Sequence, residues 1–476
     1  MAYTHYDRLS ALDAAFLEME DANTHMHVGA VALFEMGRLG APDGGLDFER
    51  VLEAAGPILR SSPRFRQRLA RVPLLDHPVW VDDERFNLNY HLRHTALPEP
   101  GDERLLKRLA GRIFSQQLDR GKPLWELWFV EGLEGGRFAV ISKIHHCMID
   151  GIAGVDLMTG LLGDEPEPDD EAGRRWLPRP RPGGAQLLAD ELARRASAPW
   201  RALRGAARSL ARPAAALRSL RDTAEAVGDA AGQALTGGSP TPLNVDIGPH
   251  RRFDWTRIEL AAAKEVKNRL GGTVNDVVLA TVAGALRRFL RGRGVPVKEL
   301  DFRALIPVNV RAADERGRLG NRVSFMVAPL PLDEDDPRRR LARVCETTRA
   351  LKSSKQTLGA ELLESVADWT ATSLFARYAR LGARSRAYNL VVTNVPGLSS
   401  SAVLLGARLL EIYPLVPLYS NQALGIALFS YDGALFWGFN SDWDAMPDLH
   451  DLVEAVHAEF ELLAKAAAAA ASRSQP

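Results

Sequence analysis

Disulfides are the first thing this chain lacks the means to build. It has two cysteines, Cys147 and Cys345, in 476 residues. That is too few for a disulfide framework and suits a reducing, cytoplasmic setting. Net charge is missing as well: 60 Lys and Arg balance 60 Asp and Glu, so no global field points to nucleic acid. No run of 18 or more apolar residues occurs, so no membrane-spanning helix is expected and any lipid-handling role would be peripheral. The first 21 residues carry acids and no continuous apolar core, unlike a secretory signal. HExxH and CxxC spacings are absent, so no metal is expected, and no internal repeat is legible.

What is present is the composition of a soluble globular protein, 46% hydrophobic and 25% charged, with length for two or more domains. The most informative stretch runs from Phe138 to Gly151. Its apolar, β-branched opening reads as a buried strand and its Asp150-Gly151 close as a turn. His145 and His146 therefore sit where a strand meets a loop. Neighbours on a strand point to opposite faces, so one imidazole can face a cavity while the other packs behind it. A neutral imidazole suits general-base work. The plainer reading is a pair of packed histidines beside an ordinary turn.

Taken in order, the chain offers a capped helix start at Ser10 with Asp13 three residues on, then a strand over Val28 to Phe34. His25 and His27 read as structural. A helix over Asp47 to Leu59, a strand near Val79 to Val81, a basic amphipathic helix from Arg104 to Ser115 and a strand opening at Pro123-Leu124-Trp125 follow. Pro and Gly break the pattern from Trp176 to Gly184. The segment 186–235 is Ala- and Arg-rich, with eight arginines and no acid between Arg194 and Arg221. It reads as a helical connector; attraction to anionic lipid is the second reading. Beyond it, Thr273 caps a helix with Asp276 as its acidic partner, strands are expected at 302–310, 323–330 and 388–397, and Asp432-Gly433 marks a hairpin. Pro447 to Ala464 is the last helix, and Ala466 to Pro476 is expected to fray. The boundaries expected are an N-terminal domain over 1–180, a linker over 181–245, a C-terminal domain over 246–465 and a disordered tail.

His145-His146-Cys147-Met148-Ile149-Asp150-Gly151 fits HHxxxDG, which resembles the active-site motif of the CoA- and carrier-dependent acyltransferases. The Leu9-Ser10-x-x-Asp13-x-x-Phe16 opening, Pro123-Leu124-Trp125, Asn275-Asp276 and Val392-Thr393-Asn394-Val395-Pro396-Gly397 follow in the order seen in bacterial wax ester synthase/diacylglycerol acyltransferases. The resemblance spans nearly the whole chain. It implies an α/β fold of two chloramphenicol-acetyltransferase-like domains, each a mixed sheet flanked by helices, with a tunnel at their interface. It implies acyl transfer from acyl-CoA, as substrate and not bound cofactor, to diacylglycerol or a long-chain alcohol. His146 would be the base, with His145 supporting and Asp150 structural. Gly151 would allow close substrate approach, Asn275 would donate to the oxyanion, and Asp276, Thr393 and Asn394 would lie near the substrate. The alternatives are a condensation-type enzyme with another alcohol or amine acceptor and a non-catalytic lipid-binding protein.

Overall fold

Two six-stranded sheets carry the molecule, and each mixes parallel with antiparallel pairing. In the computed structural model, residues 5–42, 44–148, 176–210, 237–309, 323–353, 387–398 and 401–472 are described. The first sheet is built on a nine-residue antiparallel ladder between β2 (His27–Glu35) and β7 (Arg137–His145). Both strands are rich in Val, Ile, Ala and Phe, the composition of a strand covered on both faces. β6 (Trp125–Leu133) pairs antiparallel with β7, and β5 (Leu92–Ala96) runs parallel to β6. On the other side of β2 lie β13 (Ala407–Leu415) and β12 (Val403–Leu404). These two strands come from the C-terminal half of the chain.

The second sheet has the order β10 (Val323–Leu330), β9 (Phe302–Asn309), β11 (Leu390–Val395), β14 (Leu424–Tyr431), β15 (Ala434–Asp442) and β8 (Arg251–Glu259). Asp432 and Gly433, both at positive φ (40° and 82°), close the β14–β15 hairpin as their sequence predicts. β8 starts earlier than its apolar pattern alone suggests, because Arg251 and Arg252 pair with Asp442 and Ser441 of β15. A third, three-stranded sheet of β1 (Tyr6–Arg8), β4 (Pro78–Asp82) and β3 (Gln67–Arg71) was not anticipated.

Helices cover these sheets: α1 (Ala11–Met19), α2 (Phe48–Ser61), the short α3 (Leu88–His91), α4 (Glu103–Phe114), α5 (Gly184–Leu210), α6 (Leu260–Leu270), α7 (Val274–Gly292), α8 (Pro337–Ser353) and α9 (Leu449–Ser472). Ser10 caps α1 and Thr273 caps α7 with Asp276 reciprocating, as the sequence indicates. The tail expected to fray from Ala466 is instead helical to Ser472. Alanine has the highest intrinsic helix propensity, and the Ala466–Ala471 run simply extends α9. The first turns of α5 pack on the small sheet: Leu187 packs with Ala70, Val72, Val79 and Val81, and Glu191 is buried against Arg8, Arg194 and Arg195. Among the described residues no helix is long and apolar enough to cross a membrane.

The crossing of β12 and β13 ties the halves together. The core beneath the first sheet joins Phe34, Trp125 and Phe138 to Phe253, Trp255, Tyr413 and Phe436. The second core lies wholly between Leu243 and Ala467. Where the two sheets abut, Gly438 of β15 faces Pro414 of β13, and a Cβ at 438 would overlap the Pro414 carbonyl oxygen. We expect Gly438→Ala to cost about 1–3 kcal/mol, the range for overpacking a tight contact. Denaturant unfolding would measure it, and an unchanged midpoint would show that the sheets can part there without penalty.

Candidate active site

The strand period of two decides what each histidine can do. His145 is the last residue of β7 and stands directly opposite His27 of β2. Cross-strand partners share a face, so His145 and His27 lie on the same side, with Lys143 two residues earlier. His146 opens the 3₁₀ turn His146–Met148. Its backbone N–H donates to the Met26 carbonyl (2.8 Å), and the His145 N–H donates to the Leu124 carbonyl (2.9 Å). The turn is thus tied to the chain just before the strands on both sides, including the middle residue of the Pro-Leu-Trp segment.

His145 is completely buried. Its Nδ1 accepts from the Cys147 N–H at 3.1 Å. A neutral ring then carries its proton on Nε2, which faces Glu20 Oε2 at 3.6 Å. Burial opposes ionisation of Glu20, but His145 and Arg120 outweigh it and hold the carboxyl at about 2. Arg120 donates to Glu20 Oε2 from Nε (3.0 Å) and Nη2 (2.7 Å). His27 and His25 are buried nearby; burial lowers both, and cations near each (Lys143 at His27, Arg251 at His25) add to the effect. Both are part of the packed network, as their structural reading implied.

His146 is half-buried and placed differently. Its ring stacks on Phe16 of α1, with centroids 3.8 Å apart and planes 23° from parallel. Burial pushes the imidazole down to about 4, contact with its own backbone opposes this, and neighbouring His145 adds slightly. At neutral pH the ring is therefore uncharged, the form a proton acceptor needs. Cys147 is buried and its thiol is raised by that burial, so it is no thiolate nucleophile.

The remaining site residues separate. Asp276 is buried at the start of α7, where one carboxylate oxygen accepts from the Thr273 N–H and Oγ1 (both 2.8 Å) and the other from Thr348 Oγ1 (2.7 Å). Its acceptors are taken by the fold. Asn275 beside it is half-buried, and among the described residues no hydrogen bond holds its side chain. Thr393 and Asn394 are half-buried in β11, opposite Ala427 and Leu428. Successive strand residues face opposite sides, so the pair cannot both face one cavity. Asp150 and Gly151 lie outside the described residues. Glu20, Arg120 and Phe16 were not singled out from sequence as site residues. A buried acid gives no periodic signal, and Phe16 reads simply as helix core.

A cavity of about 690 Å³ opens between α4 and the start of β8, lined by residues such as Arg104, Lys107, Arg108, Arg252 and Trp443. His146 is not among its walls.

Residues 9–278 match the wax ester synthase/diacylglycerol acyltransferase catalytic domain, and residues 319–464 match the C-terminal domain of the same family. A putative diacylglycerol O-acyltransferase of Mycobacterium tuberculosis is 35% identical over 458 residues, 93% of this chain and 87% of that one. A probable diacylglycerol O-acyltransferase of the same species is 32% identical over 461 residues, 94% of each. Among solved structures, a wax ester synthase/diacylglycerol acyltransferase from Marinobacter aquaeolei VT8 superposes with a TM-score of 0.66 at 27% identity, over 97% of this chain and 100% of that one. A condensation domain of the CDA synthetase shares the fold, with a TM-score of 0.57 at 19% identity over 98% and 97%.

Phe16 supplies much of the cover on His146, so Phe16→Ala should let its pKa climb from about 4 towards the ordinary 6.5. A ¹⁵N-histidine titration reads this, and an unmoved value would remove burial against Phe16 as the cause.

Proposed function

Since this chain belongs to the wax ester synthase/diacylglycerol acyltransferase family, whose members transfer acyl groups from acyl-CoA, we propose that His146 is the general base of that reaction. The observation that carries this is the asymmetry of the pair. His145 is fully buried, accepts the Cys147 N–H and faces Glu20, while His146 is only partly buried, neutral and backed by an aromatic ring.

The alcohol oxygen attacks the thioester carbonyl as His146 takes its proton. Collapse of the tetrahedral intermediate expels the CoA thiolate, which the imidazolium then protonates, so the ring ends as it began. No acyl-enzyme is required when acceptor and donor are held together. Asn275 is the proposed oxyanion donor: its side chain is uncommitted, and Asp276 fixes the helix start that carries it. One such donor is worth about 3–4 kcal/mol. Asp150 and Gly151 keep the roles that the motif implies, and of Thr393 and Asn394, which face opposite sides of β11, one is proposed on the substrate side.

The proposed acceptors are diacylglycerol, as the names of the Mycobacterium relatives suggest, and long-chain alcohol, as the Marinobacter protein's name does. An apolar channel between the sheets would admit both, since a methylene is discriminated by only about 1–3 kcal/mol. A cytoplasmic protein acting at a membrane or droplet surface through its basic linker fits such substrates. The linker over 181–245 and the flanking domains over 1–180 and 246–465 remain the proposed division.

His146→Ala should lower turnover of palmitoyl-CoA with diacylglycerol or hexadecanol by about 10²- to 10⁴-fold while the protein stays folded. Near-normal turnover would remove His146 as base. For the wild type, a base that must be neutral and protonates at about 4 predicts that kcat/KM holds as pH falls through 6 and drops only towards pH 4. An acid limb at 6.5 would contradict the assignment.

A further inference from the structure

The carboxylate of Glu20 lies beneath the histidine pair, and the reaction as written makes no use of it. It follows directly on α1, the helix whose Phe16 stacks on His146. It is 8% exposed, and Arg120 pins it twice while also donating to the Leu17 carbonyl at the end of α1 (2.7 Å). Oε1 stands 3.5 Å from His27 Nε2, and Oε2 stands 3.6 Å from His145 Nε2. The far side of the His145 ring accepts the Cys147 N–H, one residue beyond His146. A continuous chain of contacts therefore runs from Arg120 through Glu20 and His145 into the backbone of the turn that carries His146.

We propose that Glu20 is a positioning residue for His146: its Oε2 fixes the His145 ring with Nδ1 toward the Cys147 N–H, and so sets the turn that aims His146. The inference rests on His146 being the base. The geometry leaves His145 little other purpose, because the strand period turns it away from His146. His145 has one acceptor nitrogen, used by Cys147, and one donor nitrogen, whose nearest anion is Glu20. His145 Nε2 makes no hydrogen bond within 3.5 Å, so the Glu20 carboxylate at 3.6 Å is the nearby charge that offsets its burial; losing it frees the ring to flip or tilt and takes the 147 N–H with it. Both ends of the device, Phe16 and Glu20, come from one short stretch, so α1 indexes the catalytic turn twice.

Glu20→Met keeps chain length and removes both oxygens. It should lower kcat with palmitoyl-CoA and diacylglycerol by about 10- to 100-fold, the scale of a small misplacement of a catalytic group, with both KM values within about twofold. Glu20→Gln should restore most of the activity. Its carbonyl can take the place of Oε2 toward Arg120 and His145. If Glu20 served only to balance the Arg120 charge, Gln would fail as Met does, and that result would overturn the proposal. Wild-type kcat in Glu20→Met would do so as well. Should Glu20→Met not fold, His145→Gln cuts the same link from the other end and must show the same kcat loss at unchanged KM; an unchanged kcat there overturns it. His146→Ala separates the two levels: if it is inactive while Glu20→Met is normal, only the role of Glu20 falls, and if it is active, the base assignment falls with it.

Discussion

The structure of the site depends on one constraint, the two-residue period of a β-strand at the point where it ends. Adjacent histidines at the end of β7 must part to opposite faces. One face is closed over by Glu20, Arg120 and the neutral His27, with the Lys143–Glu126 pair further along the strand, and His145 is absorbed among them. The other presents His146 to the Phe16 ring and to whatever approaches it. A motif written as two histidines thus yields one ring fully buried and one ring only partly so, the one proposed as base. The low pKa of His146 follows from the same placement, since burial against an aromatic face disfavours the charged form by more than contact with its own backbone favours it.

The wider fold serves this arrangement by binding the halves of the chain together. β12 and β13 leave the C-terminal half and complete the sheet that ends in the histidine pair. One core is therefore shared between residues more than 370 positions apart, as in the Glu35–Arg408 ion pair at its edge. The contact of Gly438 with Pro414 and the packing of α4 on β8 close the seam from two further directions. Asn275, at the start of α7, is the contributor proposed from the second half.

Much of this could be read in the residues. Ser10, Thr273 and Asp276 announced their caps because capping needs a short polar side chain at a fixed offset. Asp432-Gly433 announced its hairpin because few other pairs tolerate two positive φ values. HHxxxDG, with the segments that resemble the acyltransferase family around it, gave the reaction class. Long-range facts were not legible. Nothing in Ala407–Leu415 says that its partner is β2, since strand pattern encodes faces and not neighbours. Glu20 looks like any acid after a helix until the fold buries it between Arg120 and His145. Of the small sheet, β4 was legible at Val79–Val81, but β1 and β3 escaped because strands of three to five residues give too short a pattern, and their pairing into a sheet is a long-range fact.

The central claim is that His146, and no other imidazole of this chain, meets the reacting thioester. The most direct measurement is a structure of the protein with a non-hydrolysable long-chain alkyl-CoA thioether. The account predicts the analogue's sulfur within about 4 Å of the His146 ring, on the side away from Phe16, with the alkyl chain running between the two sheets. An analogue seated instead along the groove of Arg104, Arg108 and Trp443, with its sulfur remote from His146, would contradict it.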